Sequence, residues 1–222
     1  MRLRLVFWRH GQTVQNASRR IQGAQDFPLN DVGHAQAAVG ARELSKLRPV
    51  CVYSSDLQRA AQTAHYLAGE IGVKVRLDAG LRERAYGTWE GLTSDEIRER
   101  NPEQWIVWRE GREPEGVGVE RREDCGLRVA NAVERAIADV EVEFQQIAQE
   151  DDVVTIAFVA HGGSIANGVM TLLGQNPSEW VGLQGMDNCH WAVLQPRPHA
   201  NPPWRLCSYN ECCVSDGEHL GF

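Results

Sequence analysis

No apolar run in this chain approaches the roughly 18 residues needed to span a bilayer. Arg2 and Arg4 are followed only by Leu5-Val6-Phe7-Trp8, too short for the apolar core of a secretion signal. These absences predict a cytoplasmic protein with no membrane partner. Positive charge is in deficit too. A formal net charge of −7 excludes a protein whose main task is holding nucleic acid on a basic surface. It leaves room for a small basic pocket, which an anion-handling enzyme needs. There is no linker-like stretch, no repeat of fixed period and no long polar tract. The 222 residues, 42% hydrophobic, therefore read as one globular domain over residues 1–222. Cysteines lack metal-site spacing. Cys207-x4-Cys212-Cys213 has no second ligand pair, and Cys51, Cys125 and Cys189 stand alone, so no metal is expected. Without an export signal the thiols should be reduced, with Cys51 and Cys207 in the core.

What is present alternates between strand-like and helix-like runs. Short apolar strands are predicted at 3–8, 50–55, 73–78, 152–160, 190–195 and 204–209. A Gly- and Asn-containing loop runs from the first of them to about residue 30. Asn30-Asp31 predicts a capped helix over 31–47 with Val32, Ala35, Val39 and Leu44 on its apolar side. Asp56 opens an Ala-rich helix to about Gly72. Short helices are predicted near 93–100 and 102–109, a loop at 114–121, a long amphipathic helix over 121–149 and another from Gly162 to about Gly174. The pattern predicts an α/β fold, a three-layer α/β/α sandwich with a mostly parallel central sheet. Ligands in such sheets bind beyond the carboxyl ends of the strands. "WRHG", "YSSD" and "AHGG" all end strands, so three segments converge on one crevice.

The chemistry-bearing residues are Arg9, His10, Arg59 and His161. Two histidines each followed by glycine put two imidazoles and open backbone at one sheet edge. Gly11, Gly162 and Gly163 let main-chain N–H groups approach a ligand, and the helix starting at Gly162 favours an anion at its N-terminus. Arginine pairs bidentately with phosphate oxygens. An imidazole nitrogen serves as a nucleophile when its other nitrogen donates to an acceptor that fixes the tautomer. Phosphoryl transfer also needs an acid for the leaving oxygen, for which "LRERAYGTWEG" offers Glu83 and Glu90. A carboxyl group shielded near the phosphate would have a raised pKa. The competing reading pairs Glu83 with Arg82 or Arg84 on the surface. Tyr86 and Trp89, beside Glu83, either line the pocket or pack under it.

The ordered set "RHGQT" (9–13), Asn16, "IQGAQDFPLNDVGHAQA" (21–37), "SSDLQRAAQTA" (54–64), "LRERAYGTWEGLT" (81–93) and "VAHGG" (159–163) resembles the histidine phosphatases, also called the phosphoglycerate mutase-like superfamily. The resemblance implies a single histidine-phosphatase domain with a variable insertion at about 93–120. By matching position it implies His10 as the phosphorylated nucleophile, Arg9, Arg59 and His161 as its phosphate-pocket partners, and Glu83 as proton donor. Asn16, Gln22 and Gly162 match positions that touch the phosphate or its ester. No metal, nucleotide or other cofactor is implied; the partner is a small phosphoester, and a homodimer through the C-terminal strands is the family expectation. The absence of a Lys-rich middle insertion favours phosphatase over mutase, and a non-catalytic phosphoester-binding module is the third reading. Within the family the blocks "SSDLQRA", "WEGLT", "MDNCHW" and "WRLCSYN" are most similar to actinobacterial members acting on glucosyl-3-phosphoglycerate. One departure stands out. Many relatives carry Gly-Glu-Ser before the long helix, where this chain has Gly118-Val119-Glu120, a carboxylate expected near the substrate lid.

Overall fold

In the computed structural model, which describes residues 2–144 and 152–213, a six-stranded sheet runs in the order β3-β2-β4-β1-β5-β6. Strands β1 (Arg2–Arg9) and β4 (Val153–Ala160) are parallel neighbours at its centre. Strands β2 (Pro49–Ser54) and β3 (Val75–Leu77) extend the parallel part on one side. Strands β5 (Trp191–Pro196) and β6 (Trp204–Glu211) add an antiparallel edge on the other.

The buried middles of the central strands, Leu5 to Trp8 and Ile156 to Ala160, are apolar because both their faces are covered. Successive side chains point to opposite faces. Leu5 and Phe7 of β1 and Ile156 and Phe158 of β4 pack on helices α6 (Arg122–Phe144) and α7 (Gly162–Leu172). Val6 and Trp8, with Ala157 and Val159, pack on α2 (Asp31–Ser45) and α3 (Gln58–Ile71). These are the three expected layers. A smaller cluster of Trp89, Ile97 and Val117, with Trp105 and Trp108 against it, folds the insertion containing α4 (Ser94–Arg100) and α5 (Pro102–Arg109). Trp89 therefore packs underneath the crevice. Among the described residues no helix is long and apolar enough to cross a membrane.

Several local expectations give way to tertiary packing. The buried stripe of α2 is Gly33, Gln36, Ala37, Gly40, Ala41 and Leu44, while Val32, Ala35 and Val39 are exposed. The cause is Trp8. A β-carbon on Gly40 would stand 2.8 Å from its indole ring, so the helix approaches β1 only along its small residues. Asp56 does not cap α3. Its carboxylate pairs with Arg82, and Asp26 accepts from the Gln58 N–H at 2.7 Å. Cys207 is exposed, not core, because β6 is an edge strand that turns Trp204 and Leu206 inward on alternate positions. The loop before residue 30 holds a short helix, α1 (Val14–Ala17), capped by the Thr13 side chain. Residues 145–149 of the expected long helix lie outside the described residues.

Candidate active site

Strands β1 and β4 run parallel with Arg9 opposite Ala160, so the residues that follow them come together. The His10 and His161 rings are 5.1 Å apart, centre to centre. A cleft of about 180 Å³ opens here, lined by Arg9, His10, Asn16, Gln22, Arg59 and Glu83, with Tyr86 and Trp108 at its side.

The two imidazoles are held differently. His10 Nδ1 lies 2.7 Å from the Gly11 carbonyl, which can only accept. Nδ1 therefore carries the proton, and the Nε2 lone pair is left to the cleft. The Gly11 carbonyl is the acceptor that no sequence pattern identified. His161 is fully buried behind its neighbours. Its Nδ1 accepts from Arg59 Nε at 3.1 Å, so Nε2 carries the proton and donates to Ser55 Oγ at 2.9 Å. Both of its nitrogens are thus engaged. Burial, followed by Arg59 and Arg9, holds His10 well below the usual imidazole range. Burial, then Arg59 and His10, does the same to His161.

Two arginines face the cleft. Arg59 donates to the Gln25 and Gly23 carbonyls at 2.7 and 2.9 Å, which leaves part of its fork toward the cleft. Burial pulls it down to about 10, so it is still charged at neutral pH. Arg9 donates through Nη1 to the Met186 carbonyl, while its buried Nε has no protein partner. A buried, unpartnered guanidinium N–H is costly unless an anion meets it. Asn16 Oδ1 accepts from the Thr13 N–H at 3.1 Å, and Gln22 Oε1 accepts from the Thr13 hydroxyl at 3.0 Å. Their NH₂ ends are the ones available to a ligand.

Glu83 pairs with neither flanking arginine. Arg82 is bound to Asp56, and Arg84 to Glu113. The Glu83 carboxylate accepts from Gly163 N at 3.1 Å, Ser164 N at 2.8 Å and Arg84 N at 2.8 Å, across the N-terminus of α7. The backbone expected to be open is thus partly occupied. Gly163 N–H serves Glu83, and Gly11 N–H donates to Thr63 Oγ1 at 3.1 Å. Gly11 is glycine because any β-carbon there would collide with the Gly33 carbonyl. Gly162 lines an adjoining cleft, against the Arg9 guanidinium.

Glu120 is not a lid carboxylate. It forms a two-bond pair with Arg128 at 2.7 and 2.9 Å and accepts from Ala85 N at 3.1 Å. Arg128 in turn donates to the carbonyls of Gly80, Arg82 and Glu83. The pair clamps the segment that carries Glu83. Sequence reading did not assign roles to Ser55, Asn188, Trp108 or Arg128. Asn188 Nδ2 donates to the His10 carbonyl at 3.0 Å, and it belongs to the "MDNCHW" block already singled out. Arg128 had no signal, since its oxygen partners lie 8 to 48 positions away.

The buried histidines predict a pH dependence of stability. Unfolded imidazoles bind protons near pH 6.5, while the two buried ones stay neutral well below it. The unfolded state therefore binds more protons in that window. Stability is full above about pH 6.5 and falls below it, by about 2.7 kcal/mol per pH unit when both sites contribute. Chemical denaturation at pH 7.5, 6 and 5 measures the slope; a flat profile would mean that the imidazoles charge freely in the folded chain.

Fold and site together define an α/β enzyme of the histidine phosphatase superfamily (branch 1), whose family model matches residues 5–210, and the chain belongs to that superfamily. It is 36% identical to the glucosyl-3-phosphoglycerate phosphatase of Mycolicibacterium vanbaalenii over 215 residues, covering 93% of this chain and 94% of that one. It is 39% identical to the glucosyl-3-phosphoglycerate phosphatase of Mycobacterium tuberculosis over 191 residues, covering 86% and 84%. A solved mycobacterial glucosyl-3-phosphoglycerate phosphatase in complex with inorganic phosphate superposes with a TM-score of 0.80 at 36% identity, covering 94% of this chain and 97% of that one. The chain thereby stands among the phosphoric monoester hydrolases.

Proposed function

We propose that the protein hydrolyses the phosphomonoester of a small acidic metabolite, glucosyl-3-phosphoglycerate or a near relative of it, through a phosphohistidine on His10. The observation that carries this is the His10 tautomer. A neutral imidazole with Nε2 free in a cleft flanked by the buried Arg59 and the partly buried Arg9 is a nucleophile aimed at an anion. The unpartnered Arg9 Nε supports a phosphoryl oxygen as the missing acceptor. The substrate assignment is supported by the names of the relatives, which match over most of the chain.

The steps follow from these groups. Arg9, Arg59, the NH₂ ends of Asn16 and Gln22, and the start of α7 at Gly162 hold the three non-bridging oxygens and their charge. His161 completes the pocket from behind by holding Arg59. The Nε2 lone pair attacks phosphorus, the P–O bond to the alcohol breaks, and Glu83 gives its proton to the departing oxygen. Water, giving its proton back to Glu83, then attacks the phosphohistidine and releases phosphate. We place this chemistry in a single domain over residues 1–222 with an insertion at about 93–120, in a cytoplasmic homodimer.

A hydrolysis screen over phosphorylated sugars, glycerates and their glucosyl derivatives tests the reading. Phosphate release should be fastest, by kcat/KM, from glucosyl-3-phosphoglycerate. Isomerisation of 3-phosphoglycerate that depends on a bisphosphoglycerate primer, without phosphate release, would replace hydrolysis by mutase chemistry.

A further inference from the structure

The crevice has a second compartment. Past Glu83 and Trp108 lies a larger cleft of about 610 Å³, which shares Arg9, Glu83, Tyr86 and Trp108 with the smaller one. Its lining carries four guanidinium groups, from Arg9, Arg84, Arg109 and Arg122, against the carboxylates of Glu83 and Glu110. Their partners are unevenly distributed. Arg84 and Arg122 share one carboxylate, Glu113, at 2.6 and 3.3 Å. Glu110 is paired with Arg112, and Glu83 with main-chain N–H groups. Arg109 is exposed on α5 and has no carboxylate partner among the described residues. Its guanidinium carbon lies 5.8 Å from the centre of the Trp105 ring. The floor is mixed, with Asn167 set among Ala166, Met170, Leu183 and Met186.

Excess positive charge on a concave wall attracts an anion. The phosphoryl group does not supply it here, because its place is beside His10 and Arg59. What reaches the second compartment is the remainder of the ester, beyond the bridging oxygen. We propose that this compartment is the leaving-group subsite and that Arg109 reads a carboxylate on the leaving alcohol. The guanidinium fork matches a carboxylate with two parallel N–H donors. An alcohol without the carboxylate leaves that fork unmatched. The inference rests on the phosphatase reading above and names the part of the chain that selects the substrate.

The test compares two esters with the same three-carbon skeleton, 3-phosphoglycerate and glycerol 3-phosphate, with p-nitrophenyl phosphate run alongside. The wild-type chain should prefer 3-phosphoglycerate. In Arg109→Ala the ratio of the two kcat/KM values should fall about tenfold, the lower end for a hydrogen bond to a charged group at an exposed site, and mainly through KM. Arg109→Lys keeps the charge and should recover part of the ratio. An unchanged ratio in Arg109→Ala, whether both esters slow together or neither does, overturns the subsite. So does Arg109→Lys performing no better than alanine. Hydrolysis by the wild type of none of these three esters, nor of glucosyl-3-phosphoglycerate, overturns the phosphatase reading itself.

Discussion

Replacing His10 by alanine removes turnover, with kcat falling by at least about 10⁴-fold. The size of the effect follows from the absence of a substitute. His161 is the only other imidazole beside the cleft among the described residues, and both its nitrogens are engaged, by Arg59 and by Ser55. Freeing its Nε2 would break the bond to Ser55 and leave a buried hydroxyl behind. Water attacking directly would retain only the charge stabilisation of the arginines. The wild-type chain, quenched in acid-free denaturant after a short exposure to radiolabelled ester, should carry label that is stable in alkali and lost in acid. His10→Ala should carry none. Label retained on His10→Ala, or turnover without any label on the wild type, would remove His10 from the nucleophile's place. Folding is not at issue in the comparison, because the His10 backbone is held independently, by Ala160, Cys189 and Asn188.

The same residues show how far a sequence carries. That "LVFWRHG" and "TIAFVAHGG" end at one edge of a mostly parallel sheet was legible, because two continuous apolar runs ending in His-Gly suit strands covered on both faces. Their direct pairing, which brings the two histidines together, is what the structure adds. Their difference was not legible. It depends on which partner each Nδ1 meets: for His10 an accepting carbonyl one residue on, for His161 a donating arginine 102 positions away. Helix α2 failed for a related reason. Its valines carry the apolar periodicity, but Trp8 dictates that glycine and alanine face the sheet. Periodicity records how apolar a face is and says nothing of how much room its neighbour leaves. Glu120 was legible as a departure from the family pattern, and its location in the chain suggested a lid. Its function as a clamp depends on Arg128, which no local pattern connects to it.

Glu83→Gln separates the acid from its scaffold. The amide is nearly isosteric, but it replaces one carboxylate oxygen with a donor. An amide oxygen in the Oε1 position keeps Ser164 N and Arg84 N. The NH₂ group then faces Gly163 N, donor against donor, a loss of about 1–3 kcal/mol in stability. Such a clash at the start of α7 would slow every substrate to a similar degree. Loss of the proton would not. An alkyl ester such as 3-phosphoglycerate cannot expel its alkoxide unaided, so its kcat/KM should fall by about 10²–10⁴-fold. Nitrophenolate leaves without a proton, so the kcat/KM for p-nitrophenyl phosphate should fall only by the smaller factor the clash imposes. The quantity to compare is kcat/KM, because it reports the cleavage of the P–O bond and stops at the first irreversible step. Dephosphorylation is visible separately. With no carboxylate to take a proton from water, the variant should release a burst of nitrophenolate equal to the enzyme and then slow, as phosphohistidine accumulates on His10. Equal loss on alkyl and aryl esters, with no burst, would leave Glu83 as a strut for α7 and assign the proton to another group in the cleft.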